Sequence, residues 1–443
     1  MIRTGDQKTW LYLSVIPVLC IYCLLGYHVV RHQTAILIPA FAILYLVYAY
    51  WLKNLDKLPI KNFLLLVVVL RLLFVVSTPS LSDDYFRFIW DGELWSNGVN
   101  PFLFTPRHAL EQLDWKRLHE LFPFVYGKDF HTVYPPLAQL AFWMAAIFSD
   151  DLIWSILILR VFIYVAEAGT LWLIWKLLKH QRLPVNLIFI YALNPLIILE
   201  FSGNLHQEAY VIFFLTAAGW FLVRNNFLPS AVAFSGAILS KLVPLIFLPS
   251  LLVVNPGKRS IQMILFILMI CSGGFFLMGG VNIIHGMNQG LLLYYQKFEF
   301  NPSVWLFIRP IGQMFTGYNI LIYAGPVLGV IACMIILYLS LSKKNKIENP
   351  IYLGQLFDRW TLMLTIYLLL SPIVHPWYIT PMILFSVFGK FRFTLVWSAM
   401  ILMTYAGYQL KGYQEQVWLI ALEYVIVLVY FIAEWKTQSQ RIA

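Results

Sequence analysis

Residues 34–52 read TAILIPAFAILYLVYAYWL, nineteen positions without one charged side chain. A helix of that length is about 28 Å long, close to the roughly 30 Å of a bilayer's hydrocarbon core. A backbone in hydrocarbon must satisfy its own N–H and C=O groups, which a helix does and an isolated strand does not. Comparable apolar runs recur at about 10–28, 62–79, 152–175, 186–201, 208–223, 227–240, 242–254, 261–283, 319–341, 357–373, 376–389, 393–407 and 415–435. Of 443 residues, 60% are hydrophobic and 12% charged, against roughly 45–50% and about 25% in soluble domains. The sequence predicts an all-α fold, a polytopic membrane helical bundle of about 12–14 spans.

The formal net charge is +10, and its distribution argues against a nucleic-acid partner. With a cytoplasmic N-terminus, Arg3, Lys8, Lys53, Lys57, Lys61, Lys176, Lys179, Arg182, Arg224, Lys258, Arg259, Lys343, Lys344, Lys346, Arg359, Lys390, Arg392, Lys436 and Arg441 fall inside. Asp83, Asp84, Asp91, Glu93, Asp129, Asp150, Glu208 and Glu299 fall outside. This is the positive-inside pattern of a membrane protein.

Two segments strain that count. Pro135–Ser149 is short for a span and reads as a re-entrant or interfacial helix; Phe227–Val254 reads as two short helices hinged near Lys241. Cys20, Cys23, Cys271 and Cys333 all lie in apolar runs, where cysteine is ordinarily a small apolar residue. The first apolar run lacks a small-x-small cleavage site and reads as an uncleaved span. The organisation expected is 1–79 as N-terminal spans, 80–151 as an acidic outer loop with interfacial helices, and 152–443 as the remaining bundle, in a single integral domain.

Polar features then gather on the outer side. Ser82–Phe102, SDDYFRFIWDGELWSNGVNPF, follows an apolar run with two adjacent acids and several aromatic rings. Adjacent carboxylates at a span exit suit base or cation work. Lys241 interrupts an apolar segment, where a charge costs about 2.5–3.5 kcal/mol unless it finds water or a partner; a phosphate-facing role explains it. His375 sits between prolines in SPIVHPWY, where helices break. Arg71, Arg160, Glu167 and Glu423 lie within spans and suit interhelical pairing, with Arg160 and Glu167 seven apart on one helix face.

This ordered set resembles the GT-C superfamily of integral membrane glycosyltransferases, and within it the bacterial mannosyltransferases that use polyprenyl-phosphate-mannose. The resemblance rests on SDDYFRFIWDGELWSNGVNPF, YPPLAQ, NPLIILEFSGNLHQEA, ILSKLVPLIFLP and HPWYITP, and covers residues from about 80 to 390. Many relatives carry a Gly-His-Asn-Asp-like turn where this chain has Gly203-Asn204-Leu205-His206-Gln207-Glu208.

The resemblance implies transfer of a hexose, mannose in these relatives, from a polyprenyl phosphate to a lipid or glycan acceptor. The reaction inverts the anomeric carbon at the extracytoplasmic face of the bacterial inner membrane. It implies Asp83 or Asp84 as the base, and Lys241, His375 and Arg309 near the departing phosphate. Trp90, Asp91, Tyr134, Asn204, His206, Glu208, Trp377 and Tyr378 become candidates for sugar and acceptor binding, with the tryptophans, Trp95 among them, as flat surfaces. Some relatives use a divalent cation and others do not; where one such as Mg²⁺ or Mn²⁺ takes part, Asp83 and Asp84 are the metal candidates. The implied partners are the lipid-linked donor, the acceptor and membrane lipids. Two other classes share the helices: a lipid-linked-sugar flippase or polymerase-type assembly protein, with less need of the acid pair, and a secondary transporter, which should show paired repeats with broken helices.

Overall fold

A computed structural model describes residues 4–149, 151–254, 257–342, 352–410 and 412–440, without the side chains of 4–8, 293–295 and 438–440. Arg3, Asp150, Lys343, Lys344, Lys346 and Arg441 lie outside the described residues, as does the Lys8 side chain. Among the described residues, six helices are long and apolar enough to cross a membrane: Thr9–Tyr27, Thr34–Lys53, Leu152–His180, Lys258–Leu277, Leu321–Leu341 and Val417–Thr437. The broken pair Val185–Ala192 and Pro195–Gly203, bent by 54°, brings the number to seven if it is one span. The multi-pass helical class holds, but the other apolar runs form shorter or interrupted helices. Among the described residues the one paired strand element is Tyr408–Gln409 against Gly412–Tyr413.

Proline and polar residues explain where the expected spans fall short. The run at 62–79 is helical only as Ile60–Leu72, because Pro79 disfavours helix just upstream and Ser77 turns back to bond the Phe74 carbonyl. Phe227–Ser240 ends at Lys241, whose backbone is extended, and Val243–Ser250 continues as tighter turns around Pro244 and Pro249; the hinge is where the charge is. Pro136–Ile147 is a twelve-residue helix, about 18 Å long and too short to cross. The acidic segment is a helix, Asp84–Ser96, where a loop was expected.

The chain divides into two units: Met1–Ser82, Leu171–His206 and Pro376–Ala443 in one, Asp83–Thr170 and Gln207–His375 in the other. In the first unit, the bend at Asn194-Pro195 frees backbone carbonyls that an unbroken helix would use. Tyr48 donates to the Ile190 carbonyl (2.5 Å) and Arg71 to that of Ala192 (3.0 Å), while Asn194 Oδ1 accepts from the Leu196 N–H (2.9 Å). Each such group left bare in lipid would cost several kcal/mol. Arg71 thus serves carbonyl oxygens, and Glu423 accepts from the Trp397 indole (2.9 Å).

In the second unit, Glu208–Val223 and Phe227–Ser240 form a tight hairpin, joined by Ser230 Oγ donating to the Ala218 carbonyl at 2.9 Å. Leu321–Leu341 lies against Leu353–Leu370. Arg359, expected at an inner loop, is buried within Leu353–Leu370 and donates to the Ser340 carbonyl at 2.9 Å. Arg160 and Glu167 are both buried on Leu152–His180. Phe276, Leu277, Met314 and Phe315 leave broad apolar faces open, as lipid contact requires.

Candidate functional site

In the second unit the Asp84–Ser96 helix starts directly after Asp83 and is buried from Tyr85 to Leu94. The acid pair stands at its N-terminus, where the helix dipole favours carboxylates. Gly92 allows close approach to Pro136–Ile147, since a Cβ there would collide with the Phe142 carbonyl oxygen. Phe88 stacks on Phe142 at 4.7 Å, and Tyr134 meets both edge-on at 5.2 and 5.4 Å.

Beside this helix start lies a cavity of about 570 Å³, lined by Asp83, Phe86, Arg107, Phe124, Tyr126 and the 127–130 turn. Ligand sites run to roughly 300–1,000 Å³. Tyr85, Phe86 and Phe124 form a continuous stack with centroids 4.2 and 4.9 Å apart, and Phe124 and Tyr126 are more than half exposed. Arg107 grips Asp129 with two bonds, Nε to Oδ1 at 2.6 Å and Nη2 to Oδ2 at 3.3 Å. The hydrogen bond from Arg107 holds the Asp129 carboxyl below the usual carboxylate range. A carboxylate, open aromatic faces and a charged fork together suit a polyhydroxylated ring. Asp83 lines this cavity; Asp84 does not.

Two of the predicted sugar-binding residues are structural here. Trp90 is 1% exposed and packs towards Phe122, so its ring faces are covered. Asp91 is wholly buried and accepts from Arg87 Nε (2.9 Å), Thr132 Oγ1 (2.5 Å) and Gln139 Nε2 (2.9 Å). Gln139 in turn accepts from Trp95 Nε1 (3.0 Å), and Arg87 donates to the Phe130 carbonyl (3.1 Å). That last bond ties the network to the cavity wall. The open rings, Phe124 and Tyr126, and the Arg107–Asp129 fork were missed in the sequence; their signal was the alternation of rings and charges around Gly127, which has a positive φ of 67°.

The other candidates of this unit do not line the cavity. Lys241 Nζ donates to Glu208 Oε1, so residues assigned separately to phosphate and sugar form one ion pair. Arg309 Nη1 donates to Glu299 Oε2 (2.5 Å), whose other oxygen accepts from Asn319 (2.6 Å). His375 is buried beside Phe300, ring centroids 4.3 Å apart. Its segment is pinned by a short parallel bridge at Ile373, where the Phe300 N–H donates to the Pro372 carbonyl and the Val374 N–H donates to the Phe300 carbonyl.

In the first unit, residues Ile198–Gly203 wind as a π-helix, a form frequent at functional sites. Leu205, just beyond, has a left-handed φ of 65°, unusual for a leucine. This turn buries Asn204 and His206. His206 stacks on Trp377, centroids 3.7 Å apart and planes 18° from parallel, and Trp377 meets Tyr378 edge-on at 6.0 Å. The sequence-predicted Asn204, His206, Trp377 and Tyr378 are therefore brought together. The residue at their centre was not predicted: Glu200 is fully buried, accepts from Tyr405 Oη (2.9 Å) and Asn204 Nδ2 (3.0 Å), and stands 2.9 Å from His206 Nδ1.

Among the described residues no three His, Cys, Asp or Glu side chains stand close enough to share a metal ion. A cation at Asp83 and Asp84 would draw its remaining ligands from substrate oxygens and water, as Mg²⁺ commonly does.

A family model described as alpha-(1->6)-mannopyranosyltransferase, N-terminal domain, matches residues 16–256. The match takes in the acid pair, Tyr134, the Glu200–Glu208 turn and Lys241, and stops before Arg309 and His375. No curated protein matches the chain. With more than half of its length matched, the chain belongs to this GT-C-type family and is a multi-pass membrane mannosyltransferase.

Proposed function

We propose that this mannosyltransferase takes mannose from a polyprenyl phosphate and passes it to a hydroxyl of a lipid or glycan acceptor. The reaction takes place at the extracytoplasmic face of the bacterial inner membrane. The observation that carries the reading is Asp83, an acid at a helix N-terminus facing a ligand-sized cavity with open aromatic rings. The positive-inside pattern supports the orientation.

Asp83 accepts the proton of the acceptor hydroxyl as its oxygen attacks the anomeric carbon. The bond from that carbon to the phosphate oxygen breaks, and polyprenyl phosphate leaves with the electron pair. Attack opposite the leaving group inverts the centre, so the α-linked product named by the family requires a β-linked donor. Asp84 supports its neighbour or shares a cation with it. Lys241, Arg309 and His375 are assigned to the phosphate. Lys241 and Arg309 would exchange Glu208 and Glu299 for the phosphate oxygens.

The test is transfer of labelled mannose from polyprenyl-phosphate-mannose into membranes, with GDP-mannose as the competing donor. Asp83→Asn should lower transfer about 10²–10⁴-fold, with protein level and thermal stability kept. Undiminished transfer in Asp83→Asn removes the assigned base; transfer from GDP-mannose alone removes the lipid-linked donor.

A further inference from the structure

The geometry points to Glu200 as the residue that positions His206, holding the imidazole against Trp377 as a sugar-binding face. The inference rests on reading His206 as a sugar-binding side chain.

Four observations carry it. The Glu200 carboxylate is 0% exposed within the bent pair of apolar helices, where an ionisable group is expensive and is ordinarily kept for function. Tyr405 Oη and Asn204 Nδ2 hold the carboxylate itself in place. His206 Nδ1 lies 2.9 Å from Oε2, at ion-pair distance but without the alignment of a hydrogen bond, so the carboxylate acts on the ring through its charge and by close contact. Finally, the backbone between the two residues departs from α-helix twice, through the π-turn and the left-handed Leu205, conformations that cost free energy and cluster at working sites. A simple brace between helices needs neither a charge nor a strained turn.

Glu200 is a positioning residue, so the test needs a readout that a brace would not move. Protein carrying ¹⁵N-histidine is reconstituted in lipid, and the His206 resonances are identified as those lost in His206→Gln. They should shift in Glu200→Gln and shift less in Tyr405→Phe, which removes one of the two bonds that hold the carboxylate but keeps its charge beside the ring. In transfer assays Glu200→Gln should raise KM for the mannosyl donor or acceptor about tenfold, as the loss of about 1.4 kcal/mol of charge interaction at the ring would, with kcat per folded protein within about threefold. Adding His206→Gln to Glu200→Gln should raise KM no further, because the two act as one unit. A brace would instead lower the amount of folded enzyme and leave KM unchanged.

Unmoved His206 resonances in Glu200→Gln overturn the inference, as does parental KM in that variant while His206→Gln raises it. Parental KM in His206→Gln itself overturns the sugar-binding reading beneath. Should Glu200→Gln fail to accumulate in membranes, Glu200→Asp, with the charge drawn back by one methylene, is read on the same two measurements.

Discussion

Replacing Asp91 by alanine should be among the most damaging single changes in the chain, although Asp91 touches no cavity. Its carboxylate is wholly buried and receives three side-chain donors, from Arg87, Thr132 and Gln139. Arg87 is itself only 8% exposed. Without Asp91 its guanidinium loses both its counter-charge and the bond that fixes it under the Phe130 carbonyl, and breaking a buried pair from one side costs about 3–5 kcal/mol. With a shift of roughly 2–4 °C per kcal/mol in a unit of this size, the midpoint of thermal unfolding should fall by about 6–20 °C.

The assay is thermal unfolding of detergent-solubilised protein, beside mannosyl transfer well below the transition. Transfer should fall too, because Arg87 anchors the Phe130 carbonyl at the cavity wall. The control is the double variant Arg87→Met with Asp91→Leu, which removes both charges and keeps apolar volume. Replacing both members of a buried pair is close to neutral, so the double variant should regain at least half of the lost stability. A double variant as unstable as the sum of its singles refutes the coupling, and a midpoint within 2 °C of parent for Asp91→Ala refutes the whole argument.

Gly92→Ala should unfold or destabilise the second unit at the upper end of the roughly 1–3 kcal/mol typical of overpacking, because the new methyl meets the Phe142 carbonyl; a parental unfolding midpoint would contradict this. Arg107→Ala, by contrast, should leave the unfolding midpoint close to parental, as loss of an exposed pair does, while raising KM for the acceptor that the cavity is proposed to hold. Burial lowers the pKa of His131, so the unfolded chain binds its proton more readily than the fold does. The stabilisation from a neutral His131 is full above the unfolded value of about 6.5 and is lost as pH falls from there towards the folded value. Unfolding midpoints between pH 7.5 and 5 should therefore depend less on pH in His131→Gln than in the parent, and an identical dependence would count against this account.

The membrane class and the break at Lys241 were legible because each rests on local chemistry: apolar length in one case, a charge inside an apolar run in the other. The Asp84–Ser96 helix was not, since Asp91, Gly92 and Glu93 interrupt its apolar pattern and read as loop. What rescues the helix is not local. Asp91 is neutralised by Arg87 one turn back, but also by Thr132 and Gln139, whose proximity no spacing rule reveals. Glu200 was passed over for the same reason. It stands in NPLIILEF as an isolated acid, and the tyrosine that holds it, Tyr405, is 205 positions further on. The burial of Trp90 was equally hidden, because a tryptophan in a polar stretch looks available, whereas here it fills the interior.

Long-range partnership also sets a schedule for biosynthesis. Tyr45, on the Thr34–Lys53 helix, gives its hydroxyl proton to the Ser398 carbonyl, 353 residues later in the chain. At about 5–20 residues per second of translation, that helix leaves the ribosome about 20–70 s before its partner exists. Tyr48 meets its acceptor, the Ile190 carbonyl, well before that, but Tyr45 waits the full interval for Ser398, and apolar length holds the helix in the bilayer meanwhile. The first unit is therefore finished last, and an interrupted chain would leave its early helices inserted but unmated, in the form that quality-control proteases of the membrane are built to find.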